Sequence, residues 1–231
     1  MIKLIKLLKI IPYYWIIMLM HILNKYTSRL YMLSNAMSFV GASNLKGDYL
    51  EFGVFEGKTF IGAYHNALMY NQKEMNFYAF DSFKGLPDSI EYKNPNNPFY
   101  VGLYAFSLDK FKGNLKKAKV DFSKVQIIPG WYSQTLNNKT KEKLPLTKAA
   151  IVWIDCDLYE STVPVLEFVT EYLGNGSLLI FDDWYLFAGN SSNGEQRATK
   201  EWLQKHPEMK LIEYRKFGAV GLSFIVEIIK V

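Results

Sequence analysis

The sequence predicts an α/β fold: a doubly wound, mostly parallel sheet with helices on both faces. Two observations support this prediction. Short apolar runs alternate with helical segments from residue 47 onward. Several of these runs end in an acidic residue, and ligands bind beyond the carboxyl ends of the strands in such sheets. The 231 residues, 49% of them hydrophobic, suit one domain with a sizeable core. We therefore predict a helical extension at 1–46 and an α/β domain at 47–231.

The extension is basic and apolar. Three lysines fall on one predicted helical face: Lys3, Lys6 and Lys9. An apolar run follows Pro12, but it is shorter than the ~20 residues that span a bilayer. Three interpretations stay open: a helix that packs on the body or on a partner chain, a helix on a membrane surface, and an uncleaved anchor. Residues 1–34 are therefore a candidate for peripheral membrane contact.

Charge and cysteine content exclude other classes of protein. Residues 1–47 hold six basic side chains and no acidic one, so the rest of the chain carries 21 basic against 22 acidic side chains. A nucleic-acid-binding domain usually presents a basic face, so we expect no nucleic-acid partner. The single cysteine, Cys156, rules out an internal disulfide. We expect a cytoplasmic protein, with membrane association and a homo-oligomer left open.

The elements of the first half follow the extension in a regular order. Each strand is a short apolar run, and each helix repeats its apolar residues every three or four positions. The predicted strands are 49–53, 77–80 and 125–128. The predicted helices are 57–70 and 107–118. A loop rich in Asn, Pro and aromatic residues separates the second strand from the second helix, at about 85–104.

The second half continues the alternation and ends differently. The predicted strands are 149–154, 177–181, 211–214 and 220–229. The predicted helices are 162–173 and 195–205. The strand at 149–154 is almost entirely apolar, which is typical of a central strand buried on both faces. The last two strands flank Phe217-Gly218, so we predict a hairpin at the edge of the sheet.

The first strand leads into a turn with two glycines, Glu51-Phe-Gly-Val-Phe-Glu-Gly57. Glycines at a strand-to-helix turn let a ligand approach the backbone, and the helix that follows offers free N–H groups. An ordinary tight turn is the alternative. Asp81 ends the next strand, where a carboxylate can accept hydrogen bonds from both ribose hydroxyls of a nucleoside. The turn in front of Asp81 favours this interpretation over a helix cap.

Four acids follow two strands that we expect to be neighbours: Asp155, Asp157, Asp182 and Asp183. Carboxylates gathered at one place repel each other unless a cation neutralises them. Oxygen ligands without a His or Cys cluster point to Mg²⁺, Mn²⁺ or Ca²⁺ rather than zinc. A bound metal lowers the pKa of a coordinated hydroxyl. The alternative is that some acids cap helices, since Asp157 precedes one and Asp183 does so if a helix begins at Trp184.

Longer strings of the sequence resemble the macrocin O-methyltransferase family, sugar O-methyltransferases of macrolide biosynthesis. The matching strings are Gly47-Asp-Tyr-Leu-Glu-Phe-Gly-Val-Phe-Glu-Gly57, Asp81-Ser-Phe-Lys-Gly-Leu-Pro87, Gly130-Trp-Tyr-Ser-Gln-Thr-Leu136, Asp155-Cys-Asp-Leu-Tyr-Glu-Ser-Thr162 and Asp182-Asp-Trp184. Their order and spacing agree with the family from about residue 36 to residue 205. The second and fourth strings are the specific ones.

The resemblance implies a class I methyltransferase fold, Rossmann-like with a seven-stranded sheet, that binds S-adenosylmethionine and Mg²⁺ or Mn²⁺. The residues implied to bind the cofactor are Glu51, Gly53, Gly57, Thr59, Asp81, Ser82, Gly130 and Trp131. Those implied to hold the metal are Asp155, Asp182 and Asp183. Asp155 is also the implied catalytic residue, because it can take the proton of the substrate hydroxyl. The implied acceptor is a small molecule with a free hydroxyl, a sugar or glycoside, held by the loop at 86–104 and the N-terminal helices.

Two other functions stay open at this stage. Asp155-Cys-Asp157 is a D-x-D string, which in metal-dependent glycosyltransferases holds Mn²⁺ against a nucleotide-sugar diphosphate. The glycine turn and the second acidic pair argue against this function. The other alternative is a methyltransferase-like binding protein without activity. Clustered carboxylates argue against it, since an inactive site has no reason to retain costly charge.

Overall fold

The structure, a computed structural model, describes residues 13–94 and 97–229. The predicted basic face at Lys3, Lys6 and Lys9 lies outside these residues. Seven strands in the described ranges form one sheet: β1 (Asp48–Phe52), β2 (Phe77–Asp81), β3 (Val125–Pro129), β4 (Ala149–Ile154), β5 (Leu178–Phe181), β6 (Met209–Phe217) and β7 (Gly221–Ile228). Their order is β3-β2-β1-β4-β5-β7-β6. β1 to β5 pair in parallel, and β7 pairs antiparallel with β5 and β6. The predicted doubly wound sheet and the edge hairpin are confirmed.

The helices connect the strands and cover both faces of the sheet. They are α1 (Tyr13–Ala42), α2 (Lys58–Met69), α3 (Leu108–Lys117), α4 (Tyr132–Thr135), α5 (Asn138–Lys143), α6 (Tyr159–Val169) and α7 (Gly194–Lys205). Short 3₁₀ turns lie at Ile90–Lys93, Phe122–Lys124, Thr170–Tyr172 and Phe187–Gly189. One core layer joins α1, α2 and α3 to the sheet, and the other joins α6 and α7 to the opposite face. Successive side chains of β1 alternate between the layers: Tyr49 belongs to the first, Leu50 and Phe52 to the second.

Helix α1 supplies part of this core. The side chains of its C-terminal half that pack against α2 and the sheet are Met32, Leu33, Ala36, Met37 and Val40, all at most 1% exposed. Their spacing of three and four residues places them on one face of the helix. No helix among residues 13–94 and 97–229 is long and apolar enough to cross a membrane. The C-terminal half of the predicted extension therefore packs as an integral layer of the fold.

Candidate active site

The carboxyl ends of the parallel strands surround a cavity of about 460 Å³. Because β1 to β5 run in the same direction, the turns that follow them meet at one edge of the sheet. The predicted site residues that line this cavity are Glu51, Gly53, Thr59, Asp81, Ser82, Gly130, Trp131, Asp155 and Asp183. Gly57 and Asp182 are not among its lining residues. The structure thus brings together nine of the predicted residues from five separate turns.

The turn after β1 is fixed by backbone contacts with its neighbours. Gly53 has a φ of 88°, and a Cβ atom there would lie 1.9 Å from the carbonyl oxygen of Asp155, so only glycine fits. Asp81 at the end of β2 accepts hydrogen bonds from the N–H groups of Val54 (2.8 Å) and Phe55 (3.1 Å) with one carboxylate oxygen. Burial raises the pKa of Asp81, and these N–H groups oppose the rise. Asp81 therefore joins the first two turns of the cavity.

Gly57 has a structural explanation of its own. It is the N-cap of α2, with a φ of 85° in the left-handed region that favours glycine. A Cβ atom there would approach the ring of Phe111 in α3 to 2.8 Å. Gly57 thus allows α2 to begin close to α3, whereas its cofactor contact stays a prediction.

Glu51 is a buried acid at the floor of the cavity. Its side chain is 1% exposed, and its Oε2 accepts a hydrogen bond from the hydroxyl of Tyr49 at 2.5 Å. Burial raises the pKa of Glu51 to about 8, although Tyr49 and the charge of Arg29 both lower it. The carboxyl group is thus held protonated at neutral pH until a positively charged group reaches it.

Three carboxyl groups converge beside the cavity. Oxygen atoms of Asp155, Asp157 and Asp183 lie within 4.8 Å of one another. The carboxyl groups of Asp157 and Asp183 lie so close together that a proton or another cation between them relieves their repulsion. Burial raises the pKa of all three acids, and their mutual repulsion adds to the rise. A site of this kind favours a bound cation.

Neither Asp157 nor Asp183 caps a helix. The N-cap of α6 is Leu158, and Asp157 precedes it with a φ of 63°, in the left-handed region. Trp184 begins a turn and not a helix, so Asp183 has no helix to cap. The alternative explanation of these two acids therefore does not apply.

Asp182 is engaged by Arg29, which the sequence did not single out. Arg29 Nε donates a hydrogen bond to Asp182 Oδ1 at 2.8 Å, and Nη2 donates to Oδ2. Nη2 also lies 3.7 Å from Asp155 Oδ2. Asp182 is buried, whereas Arg29 reaches the cavity from α1. The acidic cluster thus shares Asp155 and Asp183 with the predicted metal set and contains Asp157 where the prediction has Asp182.

Glu195 at the start of α7 is a second residue that sequence reasoning missed. It is 1% exposed, and its Oε2 accepts a hydrogen bond from the backbone N–H of Asp183 at 3.1 Å. Burial raises the pKa of Glu195, and the charge of Asp183 raises it further. Glu195 therefore supports the turn that carries Asp183. Its only sequence signal is an acid in the first turn of a helix, which is a common feature.

A roof loop, which here means the described residues 83–94 and 97–106, forms one wall of the cavity. Leu86 N–H donates to Leu103 O and Gly102 N–H donates to Leu86 O, both at 2.9 Å, so the two ends of the loop pair with each other. Tyr104 lines the cavity and stacks edge-on with Phe55, with ring centroids 5.7 Å apart. Burial raises the pKa of Tyr104, and the charges of the acidic cluster add to the rise. The loop thus contributes an aromatic side chain to the lining of the cavity.

The side chains of the acidic cluster suit a divalent cation. All its ligand atoms are carboxylate oxygens, which Mg²⁺ and Mn²⁺ prefer. Asp183 Oδ2 is buried and has no hydrogen-bond donor in the described part of the chain. An acceptor of this kind is costly unless a cation or proton satisfies it. The residues present therefore fit a hard divalent metal.

Comparisons with known proteins identify the family of the chain. Residues 25–207 match the family model described as Macrocin-O-methyltransferase (TylF). The 8-demethyl-8-(2,3-dimethoxy-alpha-L-rhamnosyl)-tetracenomycin-C 4'-O-methyltransferase of Streptomyces olivaceus is 26% identical over 166 residues, 69% of this chain and 61% of that protein. The demethyldecarbamoylnovobiocin O-methyltransferase of Streptomyces niveus is 25% identical over 169 residues, 68% of this chain and 60% of that protein. The chain thus spans about three fifths of the length of these relatives.

Solved structures show the same fold. The O-methyltransferase NovP superposes with a TM-score of 0.70 at 23% identity, covering 86% of this chain and 79% of NovP. The calicheamicin methyltransferase CalS11 superposes with a TM-score of 0.66 at 21% identity, covering 85% of this chain and 77% of CalS11. At these identities the likeness concerns the fold alone.

Proposed function

The chain belongs to the macrocin O-methyltransferase family, and from this premise we propose that it transfers a methyl group from S-adenosylmethionine to a hydroxyl of a sugar or glycosylated small molecule, with a divalent metal. One observation carries the proposal: three carboxyl groups within 4.8 Å of one another adjoin a cavity whose floor is the glycine turn after β1. The curated relatives are named as methyltransferases of glycosylated compounds, which supports the acceptor class.

S-Adenosylmethionine fits the side of the cavity formed by the turns after β1, β2 and β3. Gly53 and Thr59 offer a close backbone approach and the N-terminus of α2 to the methionine part. Asp81 accepts the N–H groups of Val54 and Phe55 with Oδ2 and that of Phe83 with Oδ1 (2.6 Å), and its two oxygens keep some acceptor capacity for ribose hydroxyls. Gly130 and Trp131 lie at the end of β3, where the adenine ring would rest. The positively charged sulfonium would then lie near the acids, whose negative charge would favour it.

The reaction needs little covalent participation by the protein. The acceptor hydroxyl oxygen attacks the methyl carbon in line, the carbon–sulfur bond breaks with its electron pair going to sulfur, and the hydroxyl proton moves to a carboxylate. We assign this proton to Asp155, whose carboxylate lines the cavity as a member of the acidic cluster. Holding the two reactants in register supplies most of the rate acceleration.

A divalent cation held by Asp155 and Asp183, with Asp157 as the third carboxylate, would lower the pKa of the acceptor hydroxyl. Asp182 supports these three acids indirectly, because its pair with Arg29 holds a positive charge beside Asp155. The roof loop encloses the acceptor and excludes water from the reacting atoms, with Tyr104 as its aromatic wall. A cytoplasmic setting, membrane contact through residues 1–34 and a homo-oligomer remain proposals of the sequence.

Asp155→Asn tests the proposed function. The amide keeps the size of the side chain but can neither take the proton nor hold a cation as well, so we expect methyl transfer to fall by at least about 100-fold. The binding of S-adenosylhomocysteine should change little, because the turns after β1 to β3 are untouched. Transfer of a tritiated methyl group to a panel of methyl glycosides, and titration calorimetry with S-adenosylhomocysteine and Mn²⁺, measure both effects.

Asp121→Asn is the matched control, since it makes the same chemical change at an exposed turn before β3. Normal turnover by the Asp155 variant would refute the role of this carboxylate. A wild-type protein that binds S-adenosylhomocysteine but no Mn²⁺ would refute the metal and keep the methyl transfer. Binding of a nucleotide sugar in place of S-adenosylhomocysteine would favour the D-x-D glycosyltransferase instead.

A further inference from the structure

Glu91, in the roof loop, holds two helices with one carboxylate. The side chain is 9% exposed. Its Oε2 accepts a hydrogen bond from the backbone N–H of Tyr159 at 2.5 Å, and its Oε1 accepts one from the N–H of Gly194 at 2.9 Å. Tyr159 is the first residue of α6 and Gly194 is the first residue of α7. Three segments distant in sequence therefore meet at this carboxyl group.

The two helices depend on Glu91 because they lack caps of their own. The residues before them, Leu158 and Asn193, make no side-chain hydrogen bond to their helices in the described ranges. The first N–H groups of a helix need an acceptor, and a negative charge there also interacts favourably with the helix dipole. Glu91 supplies both to two helices at once.

On the α6 side, Glu91 stabilises a strained turn. Asp157 lies two residues before Tyr159 and has a φ of 63°, which few residues other than glycine adopt. Leu158 N–H donates to Cys156 O at 2.6 Å, which closes a very tight turn around Asp157. A conformation of this kind persists only where surrounding contacts enforce it. The hydrogen bond from Tyr159 to Glu91 is one such contact.

On the α7 side, Glu91 stabilises the start of the helix that carries Glu195, the residue that supports the turn of Asp183. Gly194 immediately precedes Glu195, whose carboxylate accepts the backbone N–H of Asp183. A side chain at Gly194 would strike the ring of Phe187 at 2.7 Å, so the start of α7 has little freedom to adjust. A shift of this helix start therefore moves the residue that holds Asp183.

We propose that Glu91 is a positioning residue that sets the distance between the turn of Asp157 and the turn of Asp183. It is not among the residues that line the cavity, so it acts through the two helix starts and not on the substrate. This inference rests on the proposed function, because the distance it sets matters for a metal held between these acids.

Glu91→Gln is the test variant, because it preserves the size of the side chain. The amide oxygen can accept one N–H group, but the amide NH₂ then faces the other, so one helix start is released. We expect the Kd for Mn²⁺ to rise about tenfold, as is usual when a residue that supports metal ligands is altered. The Kd for S-adenosylhomocysteine should stay within about twofold, because that site lies on other turns.

Asp121→Ala is the control. Asp121 also accepts a backbone N–H group, that of Ser123 at 2.9 Å, but it precedes β3 and thus lies at the edge of the sheet opposite the cavity. Hydrogen exchange of the amides of Tyr159 and Gly194 in metal-free protein reports on the caps directly. Faster exchange in the Glu91 variant than in the control, together with the selective loss of Mn²⁺ affinity, supports the proposal. A variant that binds Mn²⁺ as tightly as wild type overturns it.

The two proposals can fail separately. If the wild-type protein binds S-adenosylhomocysteine but no Mn²⁺, the metal in the proposed function is refuted. Exchange of the amides at 157–159 and 182–184 then decides on Glu91: faster exchange in the variant than in the control supports its positioning role, and equal exchange overturns it. If Glu91→Gln unfolds, Glu91→Asp decides, because it keeps the charge but is too short to reach both N–H groups: reduced Mn²⁺ affinity with intact S-adenosylhomocysteine binding supports the proposal, and unchanged Mn²⁺ affinity overturns it.

Discussion

The pair of Arg29 and Asp182 places a positive charge next to Asp155 of the acidic cluster. Asp182 is 6% exposed, and the guanidinium group of Arg29 satisfies both of its carboxylate oxygens. The charges of Asp155 and Asp182 outweigh the effect of burial and raise the pKa of Arg29, so the arginine stays ionised. This pair gives the cluster a permanent counter-charge that does not depend on a bound ion.

Arg29→Met should therefore destabilise the protein more than the loss of an ordinary surface ion pair. The variant leaves Asp182 buried without its partner, which we expect to cost about 2 kcal/mol of unfolding free energy, less than for a fully buried pair because Arg29 is 37% exposed. Lys205→Met, which removes an exposed pair with Glu167, should cost much less, because solvent screens that pair. Urea denaturation of both variants measures the difference, and equal costs would contradict this account.

Residues at strand ends were predictable from the sequence, whereas those that act from a distance were not. Asp81, Asp155 and Asp183 each follow an apolar run, and parallel strands bring such positions together. Arg29 gave no comparable signal, because its position depends on how α1 docks against the sheet. Glu91 lies in a loop far in sequence from both of its partners. Contacts of that kind come from tertiary structure and leave no local pattern.

Among the secondary-structure elements, the start of α6 likewise could not be predicted from local sequence. The sequence predicts a helix at 162–173, but the helix begins at Tyr159 and a 3₁₀ turn follows it at Thr170–Tyr172. Glu91 provides the cap that allows the earlier start, so the residues next to the helix do not reveal it. The short helices α4 and α5 were missed because four to six residues are too few for a periodic pattern. The strands β2, β4 and β5 were placed to within one residue because each contains a continuous apolar run, whereas the polar strand β6 extends beyond the predicted 211–214.

The roof loop depends on two facing glycines with unequal surroundings. A Cβ atom at Gly85 would lie 2.5 Å from the carbonyl oxygen of Gly102, whereas one at Gly102 would meet nothing within 4 Å. Both residues have a positive φ, of 84° and 78°. Alanine at Gly85 therefore tests steric displacement together with backbone strain, whereas alanine at Gly102 tests backbone strain alone.

Gly85→Ala should open the roof loop far more than Gly102→Ala does. Strain alone costs about 1 kcal/mol, so the Gly102 variant should be cleaved by trypsin after Lys93 at most about five times faster than wild type. The Gly85 variant adds a clash with backbone atoms, and we expect cleavage to be at least about tenfold faster. Limited proteolysis with mass spectrometry gives the rates, and similar rates for both variants would refute the steric argument.

At the scale of the whole molecule, the stability of the fold depends on pH through its buried acids. The fold raises the pKa of Glu51 from 4.5 to about 8, so between these values the folded protein holds a proton that the unfolded chain has released. The free energy of unfolding therefore contains a contribution from Glu51 that is fully present below pH 4.5 and is lost as the pH rises towards 8.

Glu51→Gln removes this dependence, because the amide does not titrate. Relative to wild type, the variant should gain up to about 1.4 kcal/mol of stability for each pH unit between 5 and 8. Denaturation in urea at several pH values, in the absence of ligands, measures the change. Glu213→Gln on the exposed edge strand β6 is the control and should show no such trend. A constant difference between the Glu51 variant and wild type would contradict the burial argument.

The docking of α1 has a practical consequence for how this chain can be shortened. Arg29 of this helix neutralises an acid beside the reaction centre, and three positions further on Met32 is the first of its side chains in the hydrophobic core. A truncated version intended for expression or crystallisation must therefore start upstream of Arg29. A truncation at residue 34 or 46 would remove the charge of Arg29 together with core side chains of α1. The resulting fragment would therefore not isolate the role of the first residues.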